Sequence, residues 1–158
     1  MAEVEDVLKL LWNAKVFEAL ELAGKVKDRK GLAVQLTEFA GTLDWLKGKP
    51  YTAGLILLKA IELCPEYALA HYNLGVVFTD VEMLADHPEY VALAEREYRW
   101  VIGLDQSFAP AHHNLALLYY FTGRLEESRN EYKKAVELEP SEFRYKMLGA
   151  LLENAIKV

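Results

Sequence analysis

The chain has 158 residues, 53% of them hydrophobic, and a formal net charge of −6 at pH 7. This length allows one compact domain or one short array of repeats with a buried core. Its Lys and Arg residues are outnumbered by acids and interleaved with Glu, which argues against a duplex-binding surface and a nucleic-acid partner. The single cysteine, Cys64, excludes an internal disulfide.

The N-terminal segment predicts a structural helix rather than a targeting signal. It reads MAEVEDVLKLL and is acidic where a secretory signal is basic. Val4, Val7, Leu8 and Leu11 follow helical spacing. Charged residues interrupt every apolar stretch, so no run is as long as a membrane helix requires. We therefore expect a cytoplasmic protein with no membrane partner.

A regular internal repeat organises most of the chain. Segments 58–66 and 133–141 share the pattern Lys-Ala-[Ile/Val]-Glu-Leu-x-Pro. The first half of each repeat, which precedes such a segment, carries a small residue at one fixed position, namely Gly41, Gly75 or Ala116. Gly75 follows Gly41 by one repeat interval, whereas the interval from Gly75 to Ala116 is longer, so the middle unit carries an insert of seven. A single unit cannot cover its own apolar face, and stacked units would share one continuous core.

This register predicts a single domain of consecutive units. They are a degenerate helix pair at 1–33, repeats at 34–67, 68–108 and 109–142, and a capping helix at 143–158. The seven-residue insert lies within 81–93, where Asp86, His87 and Pro88 indicate a turn at the tip of a hairpin extension. Such an extension suits a contact surface and equally suits neutral variation in loop length.

The repeat resembles the tetratricopeptide repeat, a helix-turn-helix unit of about 34 residues with alternating small and aromatic positions and a closing proline. The resemblance implies an all-α fold, a right-handed α-solenoid of antiparallel helix pairs with a C-terminal capping helix. Residues 109–142 match the pattern best. The bulky aromatic of the first helix is replaced by Thr37, His71 and His112. We expect both histidines to fill that core-facing position, because equivalent residues on neighbouring repeats lie about 10 Å apart, too far to share one metal ion.

In this family the first helix of each pair lines a concave surface, and the register defines a candidate peptide-binding groove. Its predicted lining residues are Glu38, Thr42, Trp45, Tyr72, Asn73, Val76, Thr79, His113, Asn114, Leu117 and Tyr120. Relatives that hold the carboxylate terminus of a chaperone place Lys and Arg where this chain has Glu38, Tyr72 and His113, so we expect no carboxylate clamp. The aromatic and amide lining suits an amphipathic helix or an extended apolar peptide. The alternative is that Tyr72, Leu117 and Tyr120 only pack between repeats or under the last helix.

The sequence contains no arrangement typical of a catalytic triad, a phosphate-binding loop or a metal site, so we expect no enzyme, cofactor or metal. The leading hypothesis is a protein-interaction module that binds a partner's peptide or helix, as an adaptor, assembly factor or co-chaperone. The alternative is a self-associating scaffold, a homodimer, that uses Trp100 with Met147 and Leu151 of the last helix. Trp100 supports this alternative because its sister positions hold Lys59 and Lys134, which indicates a solvent-facing position.

Overall fold

A computed structural model describes residues 2–47, 49–80 and 89–155, without the side chains of residues 44–47. The described chain is helical, and we number its helices in order. They are α1 (Val4–Trp12), α2 (Val16–Ala23), α3 (Arg29–Lys47), α4 (Pro50–Leu63), α5 (Ala68–Phe78), α6 (Tyr90–Leu104), α7 (Ala109–Phe121), α8 (Leu125–Leu138) and α9 (Phe143–Ala155). Within these ranges there is no β-strand. No helix described is both long enough and apolar enough to span a membrane.

The helices pack as successive pairs. α1 packs on α2, α3 on α4, α5 on α6 and α7 on α8, and α9 closes the stack against α7 and α8. Each pair also contacts the next one, through α3 and α4 on α5 and through α6 on α7. Apolar side chains are buried at every level of the stack, from Val7 in α1 through Ile56 and Leu115 to Leu148 in α9. The order along the chain is therefore the order in space, as a repeat architecture requires.

The small-residue positions of the repeat mark close approaches between the two helices of a pair. A Cβ atom added to Gly75 would lie 2.6 Å from Cε1 of Tyr98, a fully buried ring on α6. In the next pair the hydroxyl of Ser128 on α8 donates a 2.6 Å hydrogen bond to the carbonyl of Ala116 on α7. Larger residues at these positions would separate the helices.

In the α1–α2 and α7–α8 pairs, the turn between the helices places one residue in the left-handed region. Gly123, between α7 and α8, has φ +75°, and Ala14, between α1 and α2, has φ 58°. In both turns the following amide donates to the carbonyl five residues earlier, at 2.9 Å after Ala14 and 2.8 Å after Gly123. This closure is the Schellman form of a helix end. The α1–α2 pair therefore shares the turn geometry of the α7–α8 pair despite its different sequence.

One helix boundary differs from the sequence register. α3 begins at Arg29 rather than at residue 34. The carboxylate of Asp28 accepts a 2.9 Å hydrogen bond from the amide of Gly31, so Asp28 caps the first turn of the helix. The predicted turn at residues 86–88, the rest of 81–88 and the end of the chain at 156–158 lie outside the described residues.

The position that is usually aromatic in the first helix is buried in all three repeats. Thr37, His71 and His112 are at most 7% exposed. Nδ1 of each histidine faces a glutamate on the second helix of its pair, Glu97 at 2.7 Å and Glu131 at 2.6 Å. Burial raises the pKa of both glutamates, but hydrogen bonds, led by those of the histidines, outweigh it and leave each pKa below its usual value. The carboxylates are therefore ionised at neutral pH.

The other ring nitrogen of each histidine reaches back to the preceding repeat. Nε2 of His71 lies 2.9 Å from the carbonyl oxygen of Pro65, and Nε2 of His112 lies 3.1 Å from that of Gln106. A carbonyl oxygen only accepts, so Nε2 donates in both cases. The histidines thus join neighbouring repeats. Among the described residues, no group of three or more His, Cys, Asp and Glu side chains is placed to hold a metal ion.

Candidate peptide-binding groove

The floor of the predicted groove comes from α5 and α7, the first helices of two neighbouring pairs. Tyr72, Asn73 and Val76 on α5 and Asn114 on α7 are all half-buried. Each therefore packs on the solenoid and still presents part of its side chain to solvent. Such partial burial is what a ligand-binding floor needs, because the exposed part remains available for contacts.

A hydrogen-bond network fixes this floor across two repeats. The Asn114 side-chain NH2 lies 3.2 Å from the hydroxyl of Tyr72 and 3.4 Å from that of Tyr98. The Tyr98 hydroxyl also lies 3.2 Å from the Thr79 hydroxyl at the end of α5. Burial raises the pKa of Tyr72 and of Tyr98, so both hydroxyls are neutral at pH 7. The hydrogen-bonded part of the floor is therefore uncharged at neutral pH.

The Asn73 amide has unused hydrogen-bonding capacity. It makes no hydrogen bond to any residue that the structure describes, whereas Asn114 uses its NH2 group in the network. Gly41 on α3 lies opposite the Asn73 side chain, and a Cβ atom on Gly41 would be 3.8 Å from the side-chain nitrogen of Asn73. The missing side chain of Gly41 leaves space beside the amide. Because an amide both donates and accepts, Asn73 is suited to pair with a peptide main chain.

His113 lies beneath the capping helix rather than in an open groove. The sequence places it in the groove lining, but it is 6% exposed and its ring lies 4.5 Å from that of Tyr145 on α9, centroid to centroid. Burial, assisted by the nearby Arg144, lowers the pKa of His113 to about 4. Its Nδ1 has no hydrogen-bond partner among the described residues. α9 therefore closes this end of the groove over a neutral imidazole.

The three positions at which a carboxylate clamp needs cations supply none at neutral pH. Glu38 is an exposed acid, Tyr72 is a neutral hydroxyl and His113 is a neutral ring. Arg144 is close enough to Tyr72 to lower the pKa of its hydroxyl, against the larger effect of burial. The Arg144 guanidinium, however, is paired with Glu142 at 2.9 Å.

The remaining predicted lining residues divide between the groove and the cap. Leu117 and Tyr120 pack partly against the cluster around Leu148 on α9, which agrees with the alternative that they support the last helix. Thr42 is exposed and its hydroxyl donates to the carbonyl of Phe39 at 2.7 Å, while the Trp45 side chain is outside the described residues. Phe121, which ends α7, has 76% of its surface exposed.

The residues predicted for self-association lie on two different helices. Trp100 on α6 is 51% exposed, and its ring packs on His71 with 5.6 Å between centroids. It borders an open depression of about 700 Å³ that is lined along α6 by Arg96 and Leu104, among others. Met147 and Leu151 are exposed on α9. Part of the Trp100 ring is thus already packed against its own chain.

Stacked antiparallel helix pairs with small residues at their crossings define a helical-repeat solenoid. Residues 109–142 match the family model described as tetratricopeptide repeat. No curated protein matches the chain by sequence. The predicted tetratricopeptide repeat is confirmed for residues 109–142 by this match, and the structural similarities show that most of the chain shares the same fold.

Solved structures share the fold over most of the chain. The first TPR of Spaghetti (RPAP3), bound to the HSP90 peptide SRMEEVD, is similar with a TM-score of 0.69 at 20% identity, over 80% of this chain and 94% of that one. The Arabidopsis OM64 TPR domain gives 0.71 at 16% identity, over 80% and 98%. MamA residues 41-end from Desulfovibrio magneticus RS-1 gives 0.66 at 23% identity, over 97% and 82%. The predicted all-α solenoid is confirmed.

Proposed function

We propose that this chain is a non-catalytic binding module that holds one segment of a partner protein, an amphipathic helix or an extended apolar peptide, in the groove between α5 and α7. It would act as an adaptor, assembly factor or co-chaperone. The observation that carries the proposal is the Asn73 amide, which is half-buried, has no partner among the described residues and faces the space left by Gly41. Support also comes from the fold, shared with domains whose structures contain HSP90 and HSP70 peptides.

The chemistry of the floor favours main-chain and apolar contacts over charged ones. Tyr72 and Val76 offer apolar surface, and aromatic residues of this kind are common anchors at interfaces. The side-chain amide of Asn73 and the side-chain amide oxygen of Asn114 can form hydrogen bonds with a peptide backbone. Because the network of Tyr72, Asn114 and Tyr98 is neutral, we expect ligand affinity to depend only weakly on salt.

The same chemistry disfavours an acidic chain terminus as the ligand. A buried carboxylate needs a cation or several donors to compensate its lost hydration. The clamp positions hold Glu38, Tyr72 and His113, none of them cationic at neutral pH. The proposed ligand is therefore of a different kind from the SRMEEVD peptide in the Spaghetti TPR structure.

A displayed peptide library selected against the chain tests the groove. We expect apolar peptides whose affinity, measured by calorimetry, falls about tenfold with Asn73→Ala, equivalent to about 1.4 kcal/mol. Val76→Glu should abolish their binding because it buries a charge under the ligand. Asn130→Ala, at an exposed position on α8, is the matched amide control and should bind like the wild type.

Two outcomes would contradict the proposal. Selected peptides that bind both groove variants as tightly as the wild type would show that binding occurs elsewhere. Saturable binding of SRMEEVD at roughly 100 µM, measured by fluorescence polarisation, would contradict the neutral character of the groove.

A further inference from the structure

Each of the two buried histidines bonds through both of its ring nitrogens and so forms a joint between repeats. In the first joint, Nδ1 of His71 lies 2.7 Å from Oε2 of Glu97, and Nε2 lies 2.9 Å from the carbonyl oxygen of Pro65. In the second joint, Nδ1 of His112 lies 2.6 Å from Oε2 of Glu131, and Nε2 lies 3.1 Å from a backbone carbonyl oxygen. An imidazole carries one or two N–H groups, so these partners decide how many protons each ring holds.

The partners of each ring require two N–H groups. Nε2 faces a carbonyl oxygen, which only accepts a hydrogen bond. The other oxygen of each carboxylate accepts from a cation, from Arg96 to Glu97 at 2.7 Å and from Lys134 to Glu131 at 2.9 Å. Burial raises the pKa of each glutamate, but its hydrogen bonds leave that pKa below the usual value, so the carboxylate accepts and cannot donate. Nδ1 therefore donates as well, and a ring that donates at both nitrogens is an imidazolium cation.

The surroundings of the rings favour this charge. Both Nδ1–Oε2 distances are short, as they are in hydrogen bonds between a cation and a carboxylate. The Trp100 ring lies 5.6 Å from that of His71, within the distance at which a tryptophan attracts a cation. The first joint thus has both an ionised carboxylate and an aromatic ring beside its histidine.

Other charged groups around the joints do not replace these partners. On α3, Arg29 donates to the carbonyl of Glu62 at 3.2 Å, in the last turn of α4. The side chains of Glu62 and Glu66, which flank the first joint, are exposed, and so is that of Asp105, which precedes the second. Beside the second joint, burial lowers the pKa of His113 to about 4, so that ring is neutral. Among the described residues, each joint histidine bonds to one charged side chain, its own glutamate.

The histidine and the glutamate occur together in two repeats and are both replaced in the third. The repeat register aligns Glu97 with Glu131 and, one repeat earlier, with Ile56. That earlier repeat has Thr37 in place of the histidine, and Thr37 and Ile56 are both fully buried. An uncharged pair thus fills the same two core positions. Since a buried ion pair is often no more stabilising than apolar residues of similar volume, its presence in two repeats favours a role beyond filling the core.

We propose that each joint is a proton-dependent contact, in which the histidine is an imidazolium cation while the repeats are stacked, and that the contact weakens as the pH rises. A histidine in an unfolded chain loses its second proton near pH 6.5. The stacked state needs that proton at both joints, so above this pH it binds more protons than the unfolded state and its stability falls as the pH rises. A neutral ring would direct a lone pair at a carboxylate instead. Because the joints position α5 and α7, the proton acts on both helices of the groove floor, and the proposal requires no ligand.

Nitrogen-15 NMR of the histidine rings tests the protonation state in the wild-type chain. At about pH 7, His71 and His112 should each show two N–H groups. His113 should show one, because burial lowers its pKa to about 4, and it serves as the internal control. The variants His71→Thr and His112→Thr assign the signals. A single N–H group on either joint histidine at this pH would overturn the proposal.

Urea unfolding from about pH 6 to 9 tests the dependence on the proton. The double variant His112→Thr, Glu131→Ile gives the second joint the uncharged pair that α3 and α4 already carry, and His71→Thr with Glu97→Ile does the same for the first. Each extra proton bound in the folded state raises the unfolding constant by up to about tenfold per pH unit, so each double variant should show a correspondingly shallower rise than the wild type. Asn130→Ala, at an exposed position on α8, is the control and should keep the wild-type dependence. A pH dependence equal to that of the wild type in either double variant would overturn the proposal.

Discussion

Ala14 holds a backbone conformation in the α1–α2 turn that its sister turn gives to a glycine. Its φ of 58° is the only positive value for a non-glycine residue in the described chain. The left-handed conformation costs an L-residue about 1–2 kcal/mol. Glycine removes that strain but adds about 0.5–1 kcal/mol of entropy to the unfolded state. Because Ala14 is exposed and loses no packing, Ala14→Gly should raise the free energy of unfolding by about 0.5–1 kcal/mol.

The assay is urea unfolding followed by helical circular dichroism, with Gly123→Ala as the matched reverse substitution. Gly123 has φ +75° and no atom within 4 Å of an added Cβ, so that variant isolates the backbone effect and should lower stability by about 1 kcal/mol. The slope against urea should not change, because neither variant alters the surface exposed on unfolding. A lower midpoint for Ala14→Gly, or no change for Gly123→Ala, would refute the reasoning.

Two further predictions concern packing and pH. Gly75→Ala should lower the free energy of unfolding by about 1–3 kcal/mol because its Cβ would meet the buried ring of Tyr98. Gly103→Ala, whose Cβ would have no atom within 4 Å, should raise the free energy of unfolding by up to about 1 kcal/mol. Thermal unfolding compares the two variants, and equal effects would contradict the packing argument. The pKa of Glu131 lies below its usual value because hydrogen bonds, led by that of His112, outweigh burial. Its carboxylate therefore stabilises the fold at neutral pH and loses this contribution as the pH falls through the range where carboxylates protonate. Urea titrations from about pH 6 to 3 should show a shallower acid loss for Glu131→Gln, and an unchanged loss would contradict this role.

The helix pairs were predictable because their packing requires particular residue types at regular intervals along the sequence. Gly75 and Ala116 are small where two helices meet, and they lie one repeat apart once the insert of seven is discounted. The start of α3 was not predictable from the repeat, because it depends on a local hydrogen bond from the amide of Gly31 to the carboxylate of Asp28. A local cap here prevails over the register of the repeat.

The site was less predictable than the fold because neighbouring elements decide which groove positions stay open. The register gives His113 a place in the lining, but whether it is open depends on how α9 packs, and Tyr145 covers it. The buried histidines had a sequence signal, since His71 and His112 share one repeat position. Their glutamate partners lie on the second helix of each pair, however, and only the packing of the pair shows that the two positions meet.

Because of the buried histidines, neighbouring repeats of the solenoid are not all held together by the same hydrogen bonds. His71 and His112 each bond to a carbonyl of the preceding repeat, whereas Thr37, at the same position one repeat earlier, donates only within its own helix, to Ala33 at 2.8 Å. In a linear stack, cooperativity depends on such nearest-neighbour bonds. The contact between the α1–α2 pair and the next repeat is therefore the weakest between repeats, and the amide hydrogens of this pair should exchange before those of the later repeats. Unfolding would then have a direction, proceeding from the N-terminal end of the stack.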